Sequence, residues 1–113
     1  MHARVYSMTS FDARPHLTSL VGTTIHTLTG KPNRVLSVTG ESVLVATTRS
    51  PEGQPVPIAW VQDALDRLSR DGAVDISVES VGYRSAFIGA VLATVPGAVA
   101  GNGRVTLADR LKG

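Results

Sequence analysis

The feature that most constrains the fold is an uncharged run from Ala86 to Val95, in which the only polar side chain is that of Thr94. A segment that is apolar on every side is typical of a helix that is buried all round. The run is far shorter than the roughly 18 residues that a membrane span needs. Pro96 and Gly97 are expected to end the helix, because proline cannot continue it and glycine accepts the conformations that follow.

The residues just before this run are polar and include Tyr83, Arg84 and Ser85. Free backbone N–H groups and the helix dipole attract anions to a helix N-terminus. A cation gains nothing from the dipole at this end, so Arg84 is better explained by an external anion or a partner carboxylate. The alternative is an internal ion pair between Arg84 and Glu79 or Asp75.

The length of 113 residues predicts one domain with a modest core, and 42% hydrophobic residues argue against wholesale disorder. The chain has no cysteine, which excludes disulfides and thiolate metal sites. It shows no signal-peptide run and no membrane span, so we expect a cytoplasmic protein. The net charge of +2 is only weakly basic, but nine of the eleven cations are arginine, whose planar fork suits phosphates and guanine edges.

The first half of the chain has a β pattern. Residues 23–28, 34–38 and 42–48 are rich in β-branched side chains and predict three strands. The short turn at 39–41 predicts that the second and third strands form a hairpin. Residues 50–56 contain two prolines and a glycine, which predicts a loop.

The second half alternates between helix and strand. Apolar residues at helical spacing predict an amphipathic helix that starts at Pro57 and is stopped by Gly72; they are Ile58, Val61, Leu65 and Leu68. Residues 73–78 alternate and predict a half-buried strand. Ser80 is the candidate N-cap of the central helix, and the Gly-Asn-Gly sequence at 101–103 predicts a terminal hairpin.

These elements predict an α+β fold in which an N-terminal β hairpin or meander is followed by helix, strand, helix and hairpin. That order resembles a reduced winged helix. Only 17 residues separate Val78 from Pro96, so either the second helix is reduced to a turn near 80–83 or the fold is another α+β arrangement. We expect a partly ordered segment at 1–20, with irregular chain at 14–16, a single domain at 21–108, and a tail or linker at 109–113.

A second cationic stretch lies at residues 30–34, where Lys31, Asn33 and Arg34 suit a phosphate. The alternative is an exposed turn with solvated charges. Arg49 in the proline-rich loop and Arg104 on the hairpin flank the same predicted surface. The predicted DNA-contacting residues are therefore Lys31, Asn33, Arg34, Arg49, Tyr83, Arg84, Ser85 and Arg104.

Signatures of catalysis are missing from the sequence. The three histidines, at positions 2, 16 and 26, lie at no metal-binding spacing, and no serine sits in a nucleophile elbow. We therefore predict that the chain is not an enzyme and needs neither a cofactor nor a metal.

Two runs, at 54–62 and 82–92, carry a resemblance to a known class of proteins. They are similar to small accessory domains of actinobacterial restriction-type proteins, some of them attached to HNH nucleases that act on modified DNA. The likeness covers about residues 22–97. It implies a DNA-contacting or specificity module whose partner is duplex DNA, plain or base-modified, and whose nuclease lies in a domain or subunit outside this chain.

A different class of function is an assembly domain that forms a homodimer and binds no nucleic acid. The central helix carries small residues that would allow close packing: Ala86, Gly89, Ala90 and Ala93. Trp60 would then anchor the partner.

Overall fold

The computed structural model describes residues 11–81 and 84–108. Within them the elements follow in the order α1 (Ala13–Leu20), β1 (Thr24–His26), β2 (Pro32–Thr39), β3 (Ser42–Ala46), β4 (Gln54–Pro57), α2 (Ile58–Asp71), β5 (Ala73–Asp75), α3 (Val78–Val81), α4 (Ser85–Ala93), β6 (Ala98–Gly101) and β7 (Arg104–Leu107). The predicted α+β class is confirmed, with helices packed around two antiparallel sheets. The segments 1–10 and 109–113 lie outside the described residues.

The first sheet is an antiparallel meander in the order β1-β2-β3-β4. Strands β2 and β3 are joined by a two-residue turn, and Thr39 pairs with Ser42 across it. This confirms the predicted hairpin. The buried side chains of Val35, Val43 and Val45 all belong to the core, as the period-2 pattern of a half-buried strand requires.

The fourth strand corrects the prediction of a loop at 50–56, because Gln54–Pro57 pairs with β3. Val56 lies opposite Val43 and is only 1% exposed. Two prolines do not prevent this pairing, since β4 is an edge strand and an edge strand needs no N–H donor on its outer side. The apolar pattern was too short, with one valine between two prolines, to indicate a strand.

Helix α1 corrects the prediction of irregular chain at 14–16. Ala13 and Leu17 are fully buried against the rest of the domain, and α1 contacts α2 and β2. The N–H of Ala13 donates to Oε1 of Gln62 at 2.8 Å, which ties the start of α1 to α2. Pro15 is tolerated because the N–H groups in the first turn of a helix have no intrahelical partner.

Helix α2 ends as predicted at Gly72, whose φ of 80° is the left-handed conformation typical of a glycine C-cap. Its inner face is buried and its outer face is charged. Arg70 forms an ion pair with the adjacent Asp71 at 3.0 Å. Both side chains are more than half exposed, so the pair contributes little to stability.

The second sheet has the order β5-β7-β6. Its β6–β7 hairpin confirms the predicted turn, because Asn102 and Gly103 both have positive φ, at 55° and 75°, as a type I′ turn requires. Strand β5 ends at Asp75, so it is three residues shorter than predicted. The one-turn helix α3 lies between β5 and α4.

Helix α4 is the centre of the fold, as its composition predicted. Its residues 87–92 are buried, and the helix contacts α2, β1 and the β6–β7 hairpin. Burial of each large side chain, such as Ile88 or Leu92, stabilises the fold by about 1.5–3 kcal/mol. The residue at the N-cap is Arg84, so the prediction of Ser80 at this position is wrong.

The C-terminal end of α4 is tied to α1 by polar contacts. The hydroxyl of Thr94 donates to the carbonyl of Val91 at 2.6 Å. Since that proton is already used, Nε2–H of His16 is the donor in the 2.8 Å contact with Thr94 Oγ1. Burial lowers the pKa of His16 below its usual value of 6.5, and a hydrogen bond to the Val91 backbone opposes the shift.

Among the described helices, none has the combination of length and apolar character that crossing a membrane requires.

Candidate functional site

A cleft of about 480 Å³ opens between the ends of the first sheet and the start of α4. We call it the cationic cleft, because Lys31, Arg49 and Arg84 all line it. The other described residues that line it are Thr27, Pro32, Asn33, Val45, Thr47, Thr48, Gln54, Val56, Ala86 and Phe87. The three cations come from three segments that are far apart in the sequence.

Lys31 is positioned by the loop between β1 and β2. The N–H of Thr27 donates to the Lys31 carbonyl at 2.9 Å, and the Lys31 N–H donates to Oγ1 of Thr27 at 3.0 Å. Thr27 is only 7% exposed, so it holds the backbone of the loop from within. Lys31 itself is exposed at the edge of the cleft.

Arg49 lies on the loop between β3 and β4, which is held by a similar threonine. The N–H of Thr47 donates to the Ser50 carbonyl at 3.1 Å, and the Ser50 N–H donates to Oγ1 of Thr47 at 3.0 Å. Nε2 of Gln54 then donates to Oγ of Ser50 at 2.9 Å. Three side chains thus fix the loop, while the exposed Arg49 projects from it.

Arg84 has an uncommon backbone conformation at the N-cap of α4. Its φ of 67° and ψ of 28° lie in the left-handed region, which non-glycine residues rarely occupy. Such a conformation costs on the order of 1–3 kcal/mol and tends to occur at functional sites. The half-buried Arg84 and the exposed Ala86 both line the cleft, so the first turn of α4 forms one wall.

The interior of the cationic cleft is lined by apolar side chains and by two side-chain amides, those of Asn33 and Gln54. Val45, Val56 and Phe87 are between 1% and 4% exposed. Asn33 is 5% exposed, and its Nδ2 donates to the Pro32 carbonyl at 2.7 Å. The site therefore combines a cationic mouth, a hydrophobic floor and amide groups that can donate and accept hydrogen bonds.

The charged side chains that line the cleft are all cationic. None of the described residues that line it is an aspartate or a glutamate. Within the described part of the chain, neither Lys31 nor Arg49 forms an ion pair. Like charges that share one opening repel one another, and an anionic ligand would remove that repulsion.

The structure brings together four of the eight predicted site residues, namely Lys31, Asn33, Arg49 and Arg84. Ser85 is the first residue of α4, and its half-buried side chain is next to the wall of the cleft in sequence. Tyr83 lies outside the described residues. The remaining two predicted residues lie elsewhere.

Arg34 and Arg104 are both outside the cleft. Arg34 is exposed between the buried Asn33 and Val35 on β2, so it lies on the opposite face of the sheet from Asn33. Arg104 on β7 lies 3.0 Å from Asp75 on β5. Asp75, one of the two acids predicted as internal partners of Arg84, pairs with Arg104.

Sequence reasoning missed the floor and the two threonines of the cleft. Thr27 and Thr47 each stand at the start of a loop, where a threonine hydroxyl often accepts a hydrogen bond from a backbone N–H a few residues later. That pattern was present in the sequence. Phe87 and Val56 gave no such signal, because a core side chain and a cleft-lining side chain have the same apolar pattern.

Among the described residues, no group of three histidine, aspartate or glutamate side chains is arranged to hold a metal ion. Comparison of the chain with protein-family models, with curated proteins and with solved structures found no significant match. The resemblance to accessory domains of restriction-type proteins therefore stays a prediction.

Proposed function

We propose that this domain is a DNA-binding accessory module that contacts duplex DNA mainly through phosphates at the cationic cleft. The observation that carries the proposal is the convergence of Lys31, Arg49 and Arg84 on one opening. Each comes from a separate segment whose backbone is held by its own contacts. Phosphate contacts from lysine and arginine supply most of the affinity of proteins for DNA.

The geometry of Arg84 supports the same proposal. The left-handed N-cap is unfavourable for arginine, and the end of the dipole at which it sits disfavours a cation. A bound phosphate would offset both, since it would interact with the guanidinium and with the first turn of α4.

The order of elements in the second half also supports DNA binding. Helix α2, strand β5, the one-turn helix α3, helix α4 and the β6–β7 hairpin follow the order of a winged helix, and the sheet order β5-β7-β6 fits that topology. In this proposal the domain is a reduced winged helix. Because α4 is buried along its length, only its first turn would reach DNA.

The cellular role we propose follows from the resemblance of residues 54–62 and 82–92. It is a specificity module of a restriction or modification-dependent defence system, acting in the cytoplasm. The nuclease would be a separate domain or subunit, and this domain would hold it on duplex DNA.

The test is a titration of a fluorescently labelled duplex, plain and base-modified, followed by anisotropy at low and moderate salt. Binding that weakens steeply as salt rises is expected, because phosphate contacts release counterions. A preference for the modified duplex would support the specificity role. No binding at low salt would contradict the proposal.

The alternative is an assembly domain, and one observation favours it. Trp60 on α2 is 40% exposed, which is unusual for the single tryptophan of a small domain. Against it, Gly89 and Ala90 are buried inside the domain, so they offer no surface to a partner. Analytical ultracentrifugation distinguishes the two functions: a monomer that shifts DNA favours the first, and a dimer that binds no DNA favours the second.

A further inference from the structure

The cationic cleft is larger than contact with a phosphate requires. Its volume of about 480 Å³ falls in the range of about 300–1,000 Å³ typical of small-molecule pockets. Phosphate contacts need exposed cations but no interior. On the basis of the proposed function, we infer that the cleft takes one unpaired nucleotide of the bound DNA, with its base inside and its phosphates at the mouth.

The floor of the cleft suits the faces of a nucleobase. The cleft is lined by apolar residues, namely the exposed Pro32 and Ala86 and the almost fully buried Val45, Val56 and Phe87. Bases bind to apolar and aromatic side chains through their faces, irrespective of sequence. A bare phosphate or a sugar would gain nothing from this floor.

The amides in the cleft suit the edge of a base. Asparagine and glutamine pair with base edges because they carry a donor and an acceptor side by side. The amide nitrogen of Asn33 donates one hydrogen bond to the Pro32 carbonyl at 2.7 Å, and that of Gln54 donates one to Oγ of Ser50 at 2.9 Å. An amide can form further hydrogen bonds through its second N–H and its oxygen.

The mouth of the cleft suits the backbone on either side of that base. A nucleotide within a strand is flanked by two phosphates, and the cations of the mouth come from three directions: the β1–β2 loop, the β3–β4 loop and the start of α4. Cations distributed in this way contact both phosphates while the base lies on the floor.

A base that is stacked within a duplex cannot reach this floor. It must be extruded, which costs free energy, and the cost is smallest for a mismatched base or one already unpaired. The inference therefore predicts that the domain binds a duplex with one mismatch or one extra base more tightly than the fully paired duplex, by roughly tenfold or more.

The experiment compares these two duplexes, with 2-aminopurine at the unpaired position and at the same position of the paired control. The emission of 2-aminopurine rises when the base leaves the stack. Ala86 and Thr48 are exposed and line the cleft, so Ala86→Phe and Thr48→Phe fill it without removing a charge. Ala59→Phe, at an exposed alanine of α2 outside the cleft, is the matched control.

The wild type and Ala59→Phe are expected to prefer the mismatched duplex and to raise the emission. In Ala86→Phe and Thr48→Phe the two duplexes should bind with about equal affinity, because the added ring occupies the space that the base would take. Equal affinity for both duplexes with no change in emission would overturn the inference and leave the proposed function standing. No salt-dependent binding to either duplex would overturn the proposed function. If free dAMP bound as tightly as the mismatched duplex, the ligand of the cleft would be a free nucleotide and not a nucleotide within a DNA strand, and the inference would be overturned.

Discussion

The three cations of the cationic cleft should determine how DNA binding depends on salt. Neutralising one phosphate contact changes the slope of log affinity against log salt by about 0.9. With Lys31, Arg49 and Arg84 all in contact, the slope is expected to be about −2.7, so a rise from about 50 to about 200 mM salt weakens binding about 40-fold.

Removal of one cation should reduce that dependence by a defined amount. In Arg49→Gln the slope should fall to about −1.8, and the same rise in salt should weaken binding only about 12-fold. Lys31→Gln should behave alike. Arg84→Asn is the suitable change at the N-cap, because asparagine tolerates the left-handed conformation better than most residues do.

The matched controls are Arg34→Gln and Arg104→Gln, which remove the same charge outside the cleft. Fluorescence anisotropy at several salt concentrations gives the slope for each variant, and thermal unfolding checks that each is folded. The reasoning would be refuted if the control variants lowered the slope as much as the cleft variants, or if no cleft variant changed it.

Three further predictions concern the scaffold. Gly89→Ala should lower the free energy of unfolding by about 1–3 kcal/mol, because the new methyl group would lie 2.6 Å from Cγ2 of Ile76. Gly101→Ala, which meets nothing within 4 Å, should not lower it in the same urea titration. Leu17→Ala should cost about 2–5 kcal/mol, since the side chain is fully buried; a loss under about 0.5 kcal/mol would show that α1 is no part of the core. The lowered pKa of His16 means that the unfolded chain binds more protons below about pH 6.5. The stability contributed by neutral His16 should therefore be complete above that pH and decline as pH falls toward the folded pKa, so the wild type should lose more stability on acidification than His16→Gln in paired unfolding curves.

Elements with a clear period or a specific turn residue could be predicted from the sequence. The central helix followed from ten consecutive uncharged residues, and both hairpins followed from their short turns. Helix α2 followed from its apolar spacing and from Gly72. In each case the information is local, because a few adjacent residues determine the periodicity or the backbone angles.

The elements that were missed depend on contacts between distant residues. Helix α1 has little apolar surface and is stabilised by its position against α2, to which Gln62 binds it. Strand β4 exists because β3 supplies its partners and Val56 fills the core. Neither contact produces a recognisable hydrophobic period in the sequence of the short segment itself.

In the candidate site, too, local features could be predicted and contacts between distant residues could not. All three of its cationic segments were predicted to contact one ligand, but the sequence did not separate the cations that share the cleft from Arg34 and Arg104, which lie outside it. Arg34 lies one residue beyond Asn33, and the alternation of β2 alone places it on the other face of the sheet. Only the packing of α4 against the first sheet distinguishes the arginines that share an opening from those that do not.

That packing depends on Gly89, which links the scaffold to the site. An added Cβ at this position would lie 3.3 Å from Cδ1 of Leu28 as well as against Ile76. Leu28 belongs to the loop that carries Lys31, and Ile76 follows β5 in the second half of the chain. The absence of a side chain at Gly89 therefore allows both halves of the domain to approach α4, and the first turn of α4 to lie opposite the loops of the first sheet. In the proposed function, the buried helix holds Arg84 at a fixed position relative to Lys31 and Arg49, and Phe87 is the core residue of the helix that also lines the cleft.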